Sequence, residues 1–283
     1  MSSVDQGQLA QLAEFLERHR NVLVLTGAGL STASGIPDYR DQDGVRRGRA
    51  PIQGPDFRKY EAVQRRYWAR SMVGWPTLAQ AAPNAAHYAL AQLEAAGRIG
   101  AIITQNVDGL HQQAGTRQLI ELHGNIHGVR CLQCHTVHAR AGIQQWLLEH
   151  NPELAANASS ADADSVVPEV RPDGDAEVEL EAMQRFHMPV CHACGGTLQP
   201  DVIFFGDNIP PERTAAALAL AEQADALLVV GSSLMVFSGF RFCKLAAAAG
   251  KPIAAINLGK TRADELIGLK LAASAADVLP RLL

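Results

Sequence analysis

Val22, Leu23, Val24 and Leu25 form an apolar run of strand character, and Gly27 to Arg40 follows it almost at once as Gly-Ala-Gly-Leu-Ser-Thr-Ala-Ser-Gly-Ile-Pro-Asp-Tyr-Arg. A strand running straight into glycines constrains the fold more than any other feature of the chain. Glycines at such a junction can take φ > 0 and let the backbone approach a pyrophosphate, while the next helix offers its N-terminal amides and positive dipole end. The spacing is not the dinucleotide fingerprint, which needs a third glycine where Thr32 stands, and no Gly-Lys-Ser/Thr ending marks a phosphate loop. A plain turn after a buried strand accounts for Gly27 and Gly29 equally well. It does not account for Ser31, Asp38, Tyr39 and Arg40 following within a dozen residues.

Two further apolar runs end in polar clusters. Ala101, Ile102 and Ile103 lead into Thr104-Gln-Asn-Val-Asp-Gly-Leu-His111, and Leu119 to Leu122, interrupted by Glu121, leads into His123 and Gly124. Ligands of open α/β sheets bind beyond the carboxyl ends of the strands, which is where these clusters fall. Strand-like runs at 22–25, 101–104, 119–122, 227–230 and 253–257 alternate with alanine-rich helical patterns at 8–19, 84–96, 211–223 and 240–249. The alternation predicts an α/β fold, a Rossmann-like doubly wound parallel sheet. Segments 44–83 and 124–202 break it and read as insertions. The expected division is a discontinuous Rossmann-like domain from 1–43, 84–123 and 203–283, a helical insertion at 44–83, and a smaller zinc-binding domain at 124–202. Asn151 to Asp175, rich in Ala, Ser, Asp and Pro, is expected to be a mobile loop.

The zinc assignment rests on Cys131-Leu-Gln-Cys134 and Cys191-His-Ala-Cys194. Four thiolates at tetrahedral positions make a closed structural site with no open position for catalysis. The 56 residues between Cys134 and Cys191 exceed the usual ribbon spacing, so the chain must leave the site and return. His135, His138 and His192 lie near enough in sequence to substitute as ligands, and Cys131 to His135 also matches a haem-attachment pattern literally. The second cysteine pair favours zinc. Cys243 falls in an alanine-rich helical stretch and reads as core.

With 283 residues, 47% of them hydrophobic, the chain can bury a substantial core. No apolar run reaches the roughly 20 residues of a membrane span, and neither a signal peptide nor an Arg-rich transit segment is visible, so a reducing, cytoplasmic location is expected. The net charge of −4 is unevenly spread. Residues 149–181 hold ten acidic side chains against Arg171 alone, whereas Arg46, Arg47, Arg49, Arg58, Lys59, Arg65, Arg66 and Arg70 face only Asp56 and Glu61. Either run can be solvated surface; the basic one can also meet a phosphate or an anionic substrate part, and it does not by itself imply nucleic acid.

Taken in order, the glycine loop, Thr104 to His111 and Glu121-Leu-His-Gly124 resemble the sirtuins, and the resemblance extends over nearly the whole chain. It implies an NAD-dependent protein lysine deacylase. In that family NAD is consumed: the acyl oxygen of a modified lysine attacks the ribose carbon bearing nicotinamide, and no hydride moves. By resemblance His123 is the base for a ribose hydroxyl, a task that suits an imidazole. Asn106 places the reacting centre and Asp108 holds the nicotinamide carboxamide, with Gln105 and Val107 beside them. Gly27, Ala28, Gly29, Ser31, Asp38, Tyr39 and Arg40 match the loop over the cofactor. Gly231, Ser232 and Ser233 match phosphate contacts, Asn257, Leu258 and Gly259 adenosine contacts, and the loop at Ala275 the adenine border.

The family binds substrate peptide as an added strand between two loops, here Val202 to Gly206 and Gly231 to Val236, which assigns Phe204, Phe205, Gly206 and Leu234 to substrate. Asp207 stands where many relatives carry Glu. Tyr67-Trp-Ala-Arg70 has the Tyr-x-x-Arg spacing that desuccinylating sirtuins use to grip a carboxylate, although Tyr67 and Trp68 can equally be core aromatics. The longer stretch after Arg70, with Val73-Gly-Trp-Pro76, resembles the class II branch, which is associated with longer or carboxylated acyl groups and with ADP-ribosyl transfer. Two alternatives stand beside the deacylase: a protein mono-ADP-ribosyltransferase on the same NAD site, and a non-catalytic, NAD-sensing zinc-ribbon module.

Overall fold

The computed structural model describes residues 5–47, 50–159, 174, 176 and 185–283. The chain runs through α1 (Gln6–Arg18), β1 (Val22–Thr26), α2 (Gly54–Lys59), α3 (Glu61–Gln80), α4 (Ala85–Ala95) and β2 (Ala101–Thr104). It continues through α5 (Leu110–Gln113), β3 (Leu119–Glu121), β4 (Gly124–Cys131), β5 (Val137–Ala139), α6 (Arg140–His150), α7 (Pro152–Ser159) and β6 (Leu198–Val202). It closes with α8 (Pro211–Gln223), β7 (Ala226–Val230), α9 (Phe237–Ala248), β8 (Ile253–Ile256), β9 (Leu269–Leu271) and α10 (Ala275–Val278).

Six strands form one parallel sheet in the order β3-β2-β1-β7-β8-β9. Strand succession runs outward from β1 on one side and from β7 on the other, so the boundary between them is a topological switch point, where such sheets open a crevice. Side chains alternate across the sheet with period two. Val22 and Val24 pack with Leu12 and Leu16 of α1 and Leu90 and Leu93 of α4. Leu23 and Leu25 turn the other way, toward Ala217 of α8 and Phe242 and Cys243 of α9. A strand covered on both faces reads as a continuous apolar run, which is why the five expected strands lie within one residue of the observed ones at each end. β9 escaped the pattern because only Leu269, Lys270 and Leu271 compose it.

The insertions join rather than stand apart. β5, β4 and β6 form a small antiparallel sheet, and its residues Val129 and Leu198 pack in one cluster with Ile143 of α6 and with Phe57, Trp68 and Met72 of the helical segment. The guanidinium of Arg140, fully buried, lies 4.9 Å from the ring centre of Trp75 and 5.5 Å from that of Trp68, at the seam between α6 and α3. Part of the loop expected over Asn151 to Asp175 is helix α7; Asn151 and Gly174 are the other described positions, and the rest lies outside the described residues. No helix among the described residues is long and apolar enough to cross a membrane.

Candidate functional site

Backbone builds the floor of the site. Beyond β1 and β7 the two loops approach so closely that a Cβ on Gly27 would lie 2.7 Å from Ser232 Cβ, and one on Gly29 would lie 3.0 Å from Gly231 Cα. Gly231, at φ +60°, would place a Cβ 2.3 Å from the amide nitrogen of Leu30. These three glycines are therefore required first by the meeting of the loops, a reason the sequence alone did not supply. The Gly27 amide donates to Val230 O at 3.0 Å, that of Gly29 to Gly231 O at 2.8 Å, and that of Gly231 to Ile256 O at 2.8 Å.

The segment after β2 closes a polar network over this floor. Asn106 Nδ2 donates to Gly27 O at 3.1 Å and to Ser31 Oγ at 3.0 Å, and Ser31 Oγ donates to Asp108 Oδ2 at 2.7 Å. The other Asp108 oxygen accepts the Leu110 amide at 3.0 Å, which fixes the carboxylate by the start of α5. Ser31 and Asp108 are buried, so their hydrogen bonds are a condition of their being there. Beneath them His111 Nε2 lies 3.0 Å from Thr26 Oγ1, and the rings of His87 and His111 sit 5.1 Å apart. Burial lowers the pKa of His87 to about 4 and that of His111 to about 3.

His123, two residues beyond β3, is held at both ring nitrogens. Nδ1 lies 2.9 Å from Gln105 O and Nε2 lies 2.8 Å from Ser238 Oγ. A carbonyl oxygen can only accept, so Nδ1 carries the proton and Nε2 presents its lone pair. Burial holds the imidazole below the usual histidine range; the Gln105 carbonyl opposes this, and the positive charge of Arg213 adds to it. The side chain of Gln105 is itself fixed, its Oε1 accepting Ser232 Oγ at 2.6 Å.

The glycine loops, Asn106, Asp108, His123 and Ser238 line one cavity of about 640 Å³. Every cofactor, catalytic and substrate residue expected from the sequence lines it except Arg70. Arg70 is buried and its Nε donates to Ala176 O at 2.7 Å, so a carboxylate grip by the Tyr67 and Arg70 pair finds only Tyr67 at the cavity. The wall also holds Arg46 of the basic run, and Ser238, Arg241 and Lys260, which sequence reading passed over. The basic run containing Arg46 was a visible signal; Ser238 carried none, since a serine five residues past Ser233 means nothing until α9 turns it inward. Arg40 is pushed below its ordinary pKa by burial and by the charge of Arg46, an electrostatic strain that a bound phosphate would relieve.

The four cysteines expected to hold zinc lie apart from this cavity. The four sulfurs of Cys131, Cys134, Cys191 and Cys194 fall within 4.8 Å of one another and form no disulfide. The Cys131 to Cys194 distance is 3.5 Å and the Cys134 to Cys191 distance 3.6 Å. A tetrahedron of bonds of about 2.3 Å puts sulfurs about 3.8 Å apart, so the set fits one structural zinc. The amides of Gln133 and Cys134 point at Cys131 Sγ from 3.4 and 3.5 Å, as suits a thiolate. The residue after each second cysteine is left-handed: His135 at φ 62° and Gly195 at φ 71°.

A nucleotide-using α/β enzyme with a structural zinc ribbon is the class this arrangement defines. A model of the Sir2 family matches residues 27–238. An NAD-dependent protein deacetylase 2 of Bradyrhizobium diazoefficiens is 52% identical over 261 residues, 92% of each chain. An NAD-dependent protein deacetylase of Xanthomonas campestris pv. campestris is 50% identical over 268 residues, 95% of this chain and 88% of that one. Among solved structures, a Sir2 complex with p53 peptide and NAD+ superposes with a TM-score of 0.74 at 28% identity, covering 97% of this chain and 96% of the other. The chain belongs to the Sir2 family.

Proposed function

We propose that this protein removes acyl groups from protein lysines with consumption of NAD, and that His123 is its general base. The observation that carries the residue assignment is the pairing of His123 Nδ1 with the Gln105 carbonyl, which leaves Nε2 unprotonated at the cavity wall. NAD supplies the electrophilic ribose carbon; the chain's residues orient it, exclude water and take a proton. Asn106 and Asp108, bound to the glycine loop through Ser31, are assigned to the reacting centre and the nicotinamide carboxamide. Arg40 and Arg46 suit the pyrophosphate.

Substrate lysine is assigned to the groove between Phe204 to Gly206 and Gly231 to Leu234, which line the same cavity. Curated relatives of similar length carry the NAD-dependent protein deacetylase name, and a Sir2 structure holding an acetylated peptide is among the matches; both support acyl-lysine proteins as the substrate class. With Arg70 turned into the core, acyl preference rests on Tyr67, Ile52 and their neighbours. We infer the reducing cytoplasm as its compartment, which keeps the four zinc-ligand thiols available.

The test is His123→Ala, assayed with NAD and a panel of acetyl, succinyl, glutaryl and lipoyl lysine peptides, with nicotinamide and deacylated product measured together. Stoichiometric release of both by the parent and loss in the variant, at unchanged zinc content, is expected. Undiminished turnover would sink the assignment of His123. Nicotinamide without deacylated peptide in the parent would point to ADP-ribosyl transfer instead.

A further inference from the structure

The hydrogen bond between Ser238 and His123 has a fixed direction. Because Nδ1 is committed as a donor to the Gln105 carbonyl, Nε2 of the neutral ring must accept, and Ser238 must donate. A serine hydroxyl has one proton and two lone pairs. With the proton spent on Nε2, the oxygen can only accept from whatever meets it next. Ser238 lines the cavity, and among the described residues its Oγ has no hydrogen-bond partner other than His123. The next group is therefore a ligand donor. The lone pair that a base would offer directly to substrate already faces the serine.

We propose that Ser238 is the proton relay of this active site, standing between a ribose hydroxyl of the bound nucleotide and Nε2 of His123. This rests on the reading of His123 as the base. As the ribose oxygen gives up its proton to Ser238 Oγ, the proton of Ser238 passes to Nε2. The O–H bond of the ribose breaks and one forms on the serine; the serine's own O–H breaks and an N–H forms on the imidazole. The serine ends neutral, the imidazole ends cationic and still bonded to Gln105 O, and the ribose oxygen is left as the nucleophile. The electron count closes without any further reagent.

The local fold is built to bring the serine there. Ser238 is the second residue of α9, whose N-cap, Val236, makes no side-chain capping bond, so the hydroxyl is not needed to start the helix. Gly239 follows it, and a Cβ at that position would lie 2.5 Å from Gln105 Nε2. The bare glycine lets the first turn of α9 close on Gln105, the residue whose carbonyl holds the other side of the His123 ring. Gln105, His123 and Ser238 thus come from the ends of β2, β3 and the start of α9, and meet in one chain of hydrogen bonds.

The test compares the parent with Ser238→Ala and Ser238→Thr, and with His123→Ala as reference. In the ligand-free protein, 15N spectra should show His123 as the Nδ1–H tautomer, with its Nε2 resonance shifted by a hydrogen bond that Ser238→Ala removes and Ser238→Thr keeps. An Nε2–H tautomer would reverse the bond and overturn the relay. In turnover, Ser238→Ala should lower kcat for deacylation by about a hundredfold, at the lower end of the range of acid–base catalysis, with KM for NAD unchanged and activity restored in Ser238→Thr. The dependence of kcat on the deuterium content of the solvent should be curved for the parent, two protons moving together, and linear for Ser238→Ala. An unchanged or raised kcat in Ser238→Ala while His123→Ala is inactive would overturn the relay and leave His123 as base. Full activity in His123→Ala would remove both.

Discussion

Arg58 of α2 grips Asp207 with both ends of its guanidinium, Nη1 to Oδ2 at 2.9 Å and Nη2 to Oδ1 at 2.5 Å. Asp207 follows directly on Phe204 to Gly206, so the pair ties the helical insertion to the segment assigned to substrate peptide. Gly54 makes the approach possible, since a Cβ there would lie 2.1 Å from Asp207 Oδ2. The Asp207 side chain is 13% exposed and that of Arg58 41%, so solvent screens the pair and its contribution to stability is about 1 kcal/mol or less. Its effect should appear in substrate binding. Arg58→Ala is expected to raise KM for an acyl peptide about three- to tenfold, roughly 1 kcal/mol of lost positioning, and to leave KM for NAD unchanged. Equal rises in both constants would mean the pair supports the whole site rather than the peptide segment.

Arg70 gives a sharper test of acyl preference. Buried at 7% exposure and donating to Ala176 O, it belongs to the packing of α3. Arg70→Ala should therefore cost stability, about 2–4 kcal/mol for a lost charge-assisted bond and a cavity, and leave the ranking of succinyl against acetyl peptides as in the parent. Selective loss of the carboxylated substrates, with the melting temperature unchanged, would return Arg70 to the active site.

The paired histidines beneath the site, His87 and His111, should make the fold acid-sensitive. His87 and His111 have folded pKa values of about 4 and about 3 against 6.5 for the free side chain, chiefly through burial. Between those limits only the unfolded chain binds the protons, so stability is full above pH 6.5 and falls as pH drops toward 4 and then 3. Each group removes about 1.4 kcal/mol per pH unit inside its window. Thermal melts from pH 7.5 to 4 should show a declining melting temperature, shallower for His111→Asn once the offset at neutral pH is subtracted. Parallel curves would show that His111 does not titrate on unfolding in this range.

In the zinc knuckles, His135 occupies a left-handed position that its counterpart fills with Gly195. A non-glycine residue there costs about 1–2 kcal/mol. His135→Gly regains part of this and loses some to the freer unfolded chain, so a net gain of up to about 1 kcal/mol is expected in denaturant melts of the zinc-loaded protein. A loss of stability would mean that the His135 side chain makes a contribution larger than the backbone strain.

Much of the sheet was legible because strands buried on both faces cannot hide: β1, β2, β7 and β8 are buried throughout, and apolar but for Thr26 and Thr104 at the ends of β1 and β2. The polar groups at their ends were equally legible, since Asn106, Asp108 and His123 each follow a strand that has no use for them. Glycine roles were legible in kind but not in cause; Gly27 and Gly231 proved to face each other's loops across 200 residues of sequence. Arg70 misled because the Tyr-x-x-Arg spacing says that two side chains share a helix region, not which of them points at a cavity. Ser238 and the Arg58 to Asp207 pair depend on contacts between distant segments, which no local pattern encodes.

The interlocked glycines carry one more consequence. Three loop amides in series, Gly27 to Val230, Gly29 to Gly231 and Gly231 to Ile256, extend the hydrogen-bond ladder of β1, β7 and β8 beyond the last strand residues. The floor of the cavity is thus continuous with the sheet, and its ordering is met when the sheet forms, before any ligand arrives. Those amides should exchange with solvent only as slowly as the sheet itself opens. Departing product leaves behind a surface that keeps its shape, so each round of turnover begins on a template already set, and heat rather than emptiness is what erases it.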